Sequence, residues 1–182
     1  APRFQGGFET MRVRDHVAKV AELRQRIREA DESVPDWELR DLWDEAQFEL
    51  SQVRLFGDLV VAAFFEGSKP KERETKRGEY ADAVLSGETA CYRDWLQEWS
   101  HADPPLAPFH WEIEFPEVFE RENPGFDTMV GNPPFLGGRK ISIHNGIPYQ
   151  KFLIFVNVGA SNTCDLVAHF FRRGFSLLRD SG

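Results

Sequence analysis

The four residues Asn132-Pro133-Pro134-Phe135 are the part of this sequence whose types and spacing best suit chemistry. A residue before proline is disfavoured in the α region, so Asn132 and Pro133 are both expected to be extended. Each proline fixes its φ near about −65° and has no N–H to donate to a β-ladder. A strand must therefore end here, and we expect it to leave exposed an amide side chain, free carbonyl groups and an aromatic ring.

These groups suit methyl transfer to the exocyclic amine of a nucleobase. Such an amine is a poor nucleophile because its lone pair is delocalised into the ring. The Asn132 side-chain oxygen and the Pro133 carbonyl could accept its two N–H bonds and draw the nitrogen towards tetrahedral geometry. Phe135 could stack on a base that has been flipped out of the duplex. The alternative is a strand that ends in proline and contains an asparagine by chance.

Residues 109–140 resemble the region around the catalytic Asn-Pro-Pro-aromatic motif of S-adenosylmethionine-dependent DNA adenine-N6 methyltransferases. The likeness rests on Asn132-Pro133-Pro134-Phe135, on the preceding phrase at 109–119 and on Gly125-Phe126-Asp127. Large modification enzymes of restriction and phage-defence systems (type IIG-like, BREX-like and DISARM-like) contain a similar phrase just before their catalytic strand. Residues 165–182 are similar to the family more loosely.

The resemblance implies that Asn132, Pro133, Pro134 and Phe135 form the target-amine pocket. It also implies S-adenosylmethionine as cofactor, and DNA and restriction or defence-system proteins as partners. Related motifs act on cytosine N4 and on protein glutamine, so other target amines stay open. Arg139 and Lys140 are candidates for a phosphate contact beside the flipped base, or for solvating charges on a loop. Gly137 and Gly138 would permit close backbone approach to a ligand.

The cofactor loop of the family is not found in this sequence. The family binds S-adenosylmethionine with a Gly-rich loop after its first strand and an acidic residue after its second. Gly6-Gly7 is followed by a helical pattern, and Gly137-Gly138 comes after the motif. We therefore expect an internal or truncated piece of a longer enzyme that does not methylate DNA by itself.

Composition indicates a soluble globular protein with 182 residues, a net charge of −8, 41% hydrophobic and 29% charged residues. The negative charge argues against tight phosphate binding by this chain alone. In the family, the duplex is held mostly by a separate target-recognition region, which we expect to be missing. No apolar run approaches the ~20 residues of a membrane span. No signal peptide is visible, and Cys91 and Cys164 have no metal or redox spacing, so we expect a reducing, cytoplasmic location.

The sequence predicts a mixed α/β fold, with a mainly helical region at 1–104 and part of a Rossmann-like methyltransferase sheet at 105–182. Apolar spacing in the first region predicts helices at 11–30, from Asp36 through the apolar run 59–65, at 73–85 and at 89–100. Trp37 is expected on the buried side of the second helix. A proline-rich linker at 101–108 separates the two regions.

Strict alternation at 109–115 predicts a half-buried strand that ends at Pro116. His110, Glu112 and Glu114 would share its other face, as metal ligands or, as we expect, as solvent-facing residues with no metal bound. The catalytic strand is expected at 126–130 and an irregular loop at 141–149. Residues 151–158 fit a strand or a helix, and the family places a helix there. An amphipathic helix is expected at 165–178.

A second class of function remains compatible with the sequence. The chain could be a non-catalytic helical protein-interaction module, or a degenerate methyltransferase homologue, in which the Pro-Pro turn is purely structural.

Overall fold

The computed structural model describes residues 7–103 and 105–180, with side chains from residue 13 onward, and within these ranges it contains helices and no β-strand. The prediction of a partial Rossmann-like sheet was therefore wrong. None of the described helices is long and apolar enough to cross a lipid bilayer. The helices are α1 Gly7–Glu29, α2 Asp36–Glu66, α3 Pro70–Ser86, α4 Ala90–Ser100, α5 Trp111–Glu114, α6 Pro116–Phe119, α7 Gly138–Val156 and α8 Leu166–Leu177.

Helices α1 and α2 pack against each other and confirm the first two predicted helices. A buried cluster at their interface contains Val20, Leu23, Leu42, Ala46 and Leu50. Trp37 was expected on this side, but it is 65% exposed. At 100° per residue it points away from the stripe that Leu42, Ala46 and Leu50 form, so a helical apolar pattern did not guarantee burial at its first residue.

The second half of α2 is enclosed by α3 and α4, which confirms the two shorter helices. Leu59, Ala62 and Ala63 form a second buried cluster with Tyr80 of α3, and Trp95 of α4 packs against it. Contact on several sides explains why this part of α2 is apolar almost all round.

Residues 109–115 do not form the predicted strand, because the backbone turns back on itself instead of meeting a partner strand. The N–H groups of Ile113 and Glu114 donate to the carbonyl of His110 at 2.9 and 2.8 Å. Arg54 of α2 then donates two hydrogen bonds of 2.6 Å to the Glu114 carboxylate. A segment with period-two alternation forms a β-ladder only when a neighbouring strand pairs with it. Here contacts with α2 stabilise helical turns instead.

The aromatic side chains of this segment enclose the start of the motif segment. Trp111, Phe115 and Phe119 surround Phe126, with ring centroids 5.7, 5.4 and 5.3 Å away. Edge-to-face packing of this kind adds stabilisation beyond the area buried. The turns α5 and α6 therefore connect α2 to the segment that contains the Asn-Pro-Pro-Phe motif.

Residues 141–149 are helical and not an irregular loop, so that prediction was also wrong. Gly146, with φ of 82° and ψ of 157°, interrupts α7, and Pro148 lies just after the interruption. Proline is well accommodated in the first turn of a helix, so the second half of α7 begins there. Residues 151–156 are helical, which is the one of the two predicted forms that the resemblance implied. Phe152 and Phe155 pack on Phe64 of α2 with centroids 5.3 and 5.0 Å apart.

We predict that Glu114→Gln destabilises the protein at neutral pH and much less in acid. Hydrogen bonds from Arg54 hold the pKa of Glu114 below its ordinary value of 4.5. A depressed folded-state pKa contributes stability above the unfolded-state pKa, and that stability is lost as the pH falls below it. We expect a loss of about 1–2 kcal/mol at pH 7 that shrinks towards about pH 3. Urea denaturation at several pH values measures the difference.

The matched control is Glu74→Gln, which removes the exposed pair with Arg77 on α3. Its effect should be small at every pH, because exposed ion pairs contribute little. A constant difference for Glu114→Gln from pH 7 to pH 3 would contradict the role given to its charge.

Candidate active site

The Asn-Pro-Pro-Phe motif lies in an exposed segment without regular secondary structure that runs from Phe126 to Gly137. Asn132 and Pro134 are exposed, Phe135 is 78% exposed and Val130 is 95% exposed. The predicted catalytic strand at 126–130 was wrong, since only Phe126 makes ladder hydrogen bonds. The prolines lack an N–H, and no strand in the described part of the chain pairs with the backbone between Phe126 and the motif.

The first end of the segment is attached through Phe126, which forms an isolated parallel bridge with Leu178. The Phe126 N–H donates to the Leu177 carbonyl at 2.8 Å, and the Arg179 N–H donates to the Phe126 carbonyl at 3.1 Å. Gly125 has a φ of 117°, and a Cβ there would lie 2.5 Å from the Arg179 nitrogen. Only glycine therefore allows the two backbones to approach this closely.

The other end is attached through Leu136, directly after Phe135. The Leu136 N–H donates to Oδ1 of Asp165 at 3.2 Å. The Leu166 N–H donates to the Leu136 carbonyl at 2.9 Å. Oδ1 of Asp165 also accepts from the Val167 N–H at 3.0 Å, so Asp165 is the N-cap of α8. The predicted helix at 165–178 is confirmed, but pattern analysis gave Asp165 no contact with the motif segment.

Between its two ends the segment follows α8 in the opposite direction. The Met129 sulfur lies 3.6 Å from the position that a Cβ on Gly174 would occupy. The 12 residues of α8 span about 18 Å. Ten extended residue steps, as from Phe126 to Leu136, could span up to about 33 Å. The segment is longer than the distance it has to cover, so it bows outward, and the motif lies in the exposed part.

Gly138 was expected to let the backbone approach a ligand, but the chain itself occupies that space. A Cβ on Gly138 would lie 2.6 Å from the Asn162 carbonyl oxygen, whereas one on Gly137 would meet no atom within 4 Å. Gln150 reinforces this contact, because its side-chain amide donates to the carbonyls of Gly138 at 2.8 Å and Asn162 at 2.9 Å. The sequence contained no signal for this role of Gln150.

Arg139 and Lys140 lie in the first turn of α7 with exposed side chains and form no ion pair in the described part of the chain. Asp127, by contrast, is held by Arg179 at 2.6 Å and Arg121 at 3.5 Å. The acidic group before the motif is therefore paired with arginines, whereas the two cationic groups after the motif are exposed.

His169 is a further polar residue of α8 that sequence analysis did not single out. It is buried, and its Nδ1 has no hydrogen-bond partner within the described residues. Burial, and secondarily the charge of Arg172, lower the pKa of His169 below its ordinary value. The ring is therefore neutral at neutral pH and adds no positive charge to the inner face of α8.

The three polar residues weighed as metal ligands have separate protein partners. Glu112 is exposed, as expected, whereas His110 and Glu114 are half-buried. His110 contacts Asp58 at 2.8 Å, Glu114 binds Arg54, and Glu112 accepts from Arg173 at 2.9 Å. Among the side chains that the structure describes, from residue 13 to 103 and from 105 to 180, no group of three potential ligands could hold a metal ion. A cavity of about 230 Å³ lies elsewhere, between α1, α2 and α3, against Val13, Val53 and Val84.

A family model described as Eco57I restriction-modification methylase matches residues 43–182, from within α2 to beyond α8. The chain belongs to this family. Membership confirms the resemblance to modification enzymes of restriction systems. The match covers the helices α3 and α4 as well as the motif segment. The comparisons with curated proteins and with solved structures gave no match.

We predict that Gly138→Ala weakens the attachment of the motif segment, whereas Gly137→Ala is neutral. The added methyl of Gly138→Ala would meet backbone atoms of residues 162–164, which cannot move aside like a flexible side chain. We expect a loss of about 1–3 kcal/mol in the free energy of unfolding, as for overpacking. Denaturant unfolding of both variants measures the difference, and equal stability would contradict the close contact.

Proposed function

We propose that this Eco57I-family chain contains the target-amine pocket of a DNA methyltransferase that modifies the N6 amine of adenine. Support comes from the position of the Asn-Pro-Pro-Phe motif inside the family match, and from its exposure between two attachments to α8. DNA is the substrate class that membership in a restriction-modification methylase family indicates. The predicted division into a helical region at 1–104 and a catalytic region at 105–182 remains part of this proposal.

In the proposed reaction, Asn132 and Pro133 act on the amine before and during methyl transfer. The side-chain oxygen of Asn132 and the carbonyl of Pro133 accept the two N–H bonds of the amine. These bonds strengthen as the nitrogen becomes tetrahedral and its lone pair leaves the ring, so they stabilise the transition state more than the ground state. The nitrogen proton becomes acidic only after alkylation and then passes to water. No general base is required before the amine attacks the methyl group. We therefore give Asp127, which is paired with Arg121 and Arg179, no catalytic role.

Phe135 and the side chains of Arg139 and Lys140 would hold the flipped nucleotide. A packed core phenylalanine would be buried, whereas Phe135 is 78% exposed and has a ring face available for stacking. Stacking of a base on an aromatic ring contributes about 1–3 kcal/mol. Arg139 and Lys140 follow within one helical turn, and we assign them to a phosphate of the extruded nucleotide.

The methyl donor of this reaction class is S-adenosylmethionine, which supplies an activated methyl group when it is bound. The described residues do not fit it, because they include no strand followed by a Gly-rich loop, and backbone of residues 162–164 packs closely against Gly138. We therefore assign no residue of this chain to the cofactor and restrict the mechanism to activation of the amine.

We predict that Asn132→Ala, made in the full-length protein, lowers kcat for DNA methylation by about 100- to 1,000-fold. Cofactor affinity should change little, because the lost interaction forms mainly in the transition state. Single-turnover transfer of a labelled methyl group measures the rate, and calorimetry measures cofactor binding. The matched control is Asn162→Ala, an exposed asparagine outside the motif, which should transfer methyl groups at the wild-type rate.

Two outcomes would contradict the proposal. An unchanged kcat for Asn132→Ala would remove the motif from catalysis. Absence of methyl transfer by the wild-type full-length protein to any DNA would favour the non-catalytic interaction module.

A further inference from the structure

We propose that Asp165 is a positioning residue for the Asn-Pro-Pro-Phe motif. Its carboxylate joins the first turn of α8 to Leu136, the residue that follows Phe135. The effect on methylation rests on the function proposed above, whereas the contact itself does not.

Both backbone polar groups of Leu136 are bound to the start of α8. Its N–H donates to Oδ1 of Asp165 at 3.2 Å, and its carbonyl accepts from the Leu166 N–H at 2.9 Å. The Leu136 N–H belongs to the same planar peptide unit as the Phe135 carbonyl. Fixing this N–H therefore fixes the orientation of the last peptide of the motif.

The attachment at Leu136 is effective because the other end of the segment is fixed as well. Phe126 is bound between Leu177 and Arg179, and the helix between the two attachment points has a set length. The prolines inside the segment cannot donate backbone hydrogen bonds. The conformation of Asn132 and Pro133 therefore depends on where the ends are held, and the Asp165 side chain holds the Leu136 end.

An ordinary N-cap would account for only one of the two hydrogen bonds that Oδ1 accepts. Capping requires the bond from Val167, at 3.0 Å, and serine would provide it about equally well. The bond from Leu136 requires an acceptor on a longer side chain. Asparagine retains an oxygen at that position, whereas the serine hydroxyl lies one atom closer to the backbone. Replacement of Asp165 can therefore separate helix capping from positioning of the motif.

The test compares Asp165→Asn, Asp165→Ser and Asp165→Ala. In this chain, hydrogen exchange followed by NMR reports the Leu136 and Val167 amides, and thermal melts report stability. We expect Leu136 to exchange about five- to tenfold faster in Asp165→Ser and Asp165→Ala, and near the wild-type rate in Asp165→Asn. Protection of Val167 should be lost only in Asp165→Ala.

The same variants of the full-length protein are assayed for methyl transfer. We expect kcat to fall about 10- to 100-fold in Asp165→Ser while melting temperature and cofactor affinity hold, as for a small misplacement of reacting groups. Asp165→Asn should restore most of kcat. A residue that only stabilises α8 would lower the melting temperature together with the activity.

Three outcomes decide the proposal. Wild-type Leu136 exchange in Asp165→Ser would overturn it, because Asp165 would then only cap α8. Faster Leu136 exchange with unchanged kcat would also overturn it. If the wild-type full-length protein transfers no methyl group, the proposed function fails, and the Leu136 exchange rates alone then uphold or overturn the positioning contact.

Discussion

The structure around the motif depends on one constraint, which is that a segment unable to form its own β-ladder is attached at both ends to a single helix. Pro133 and Pro134 remove two N–H groups from the middle of the segment, so regular pairing cannot hold it. Backbone hydrogen bonds at Phe126 and Leu136 hold it instead. Because α8 is shorter than the extended segment, the residues between these points project into solvent. Exposure of Asn132 and Phe135 is thus a consequence of how the ends are fixed.

The helical region contributes to the site by supporting these attachment points. Arg54 of α2 binds Glu114, and the turns that follow place Trp111, Phe115 and Phe119 around Phe126. On the other side, Phe64 of α2 packs on Phe152 and Phe155 of α7. Helix α7 begins immediately after the segment and contacts residues 162–164 through Gly138. Side-chain packing on one side of the motif, and side-chain packing together with a backbone contact on the other, therefore connect α2 to both sides of the motif.

Local patterns predicted the helices well, because a 3.6-residue apolar period is a property of one segment alone. The proline pair predicted correctly that Asn132 and Phe135 are exposed, although no strand ends there. The strand predictions were wrong because strand pairing depends on a partner that is distant in sequence. The side chains of Trp111 and Phe115 pack around Phe126 instead. The prediction of a loop at 141–149 was wrong because the interruption of α7 is confined to a single residue, Gly146. The second acceptor role of Asp165 and the close contact of Gly138 join residues far apart in sequence, and no local pattern encodes them.

The most direct test of this account is the backbone amide exchange of the wild-type chain between Phe126 and Gly137, measured residue by residue by NMR. The account predicts protection at Phe126 and Leu136, whose N–H groups donate to Leu177 and Asp165, and fast exchange at Val130, Asn132 and Phe135. Protection that continues through residues 126–130 would mean that a strand forms there. Unprotected amides at both Phe126 and Leu136 would mean that the segment is not attached to α8. Either result would contradict the account.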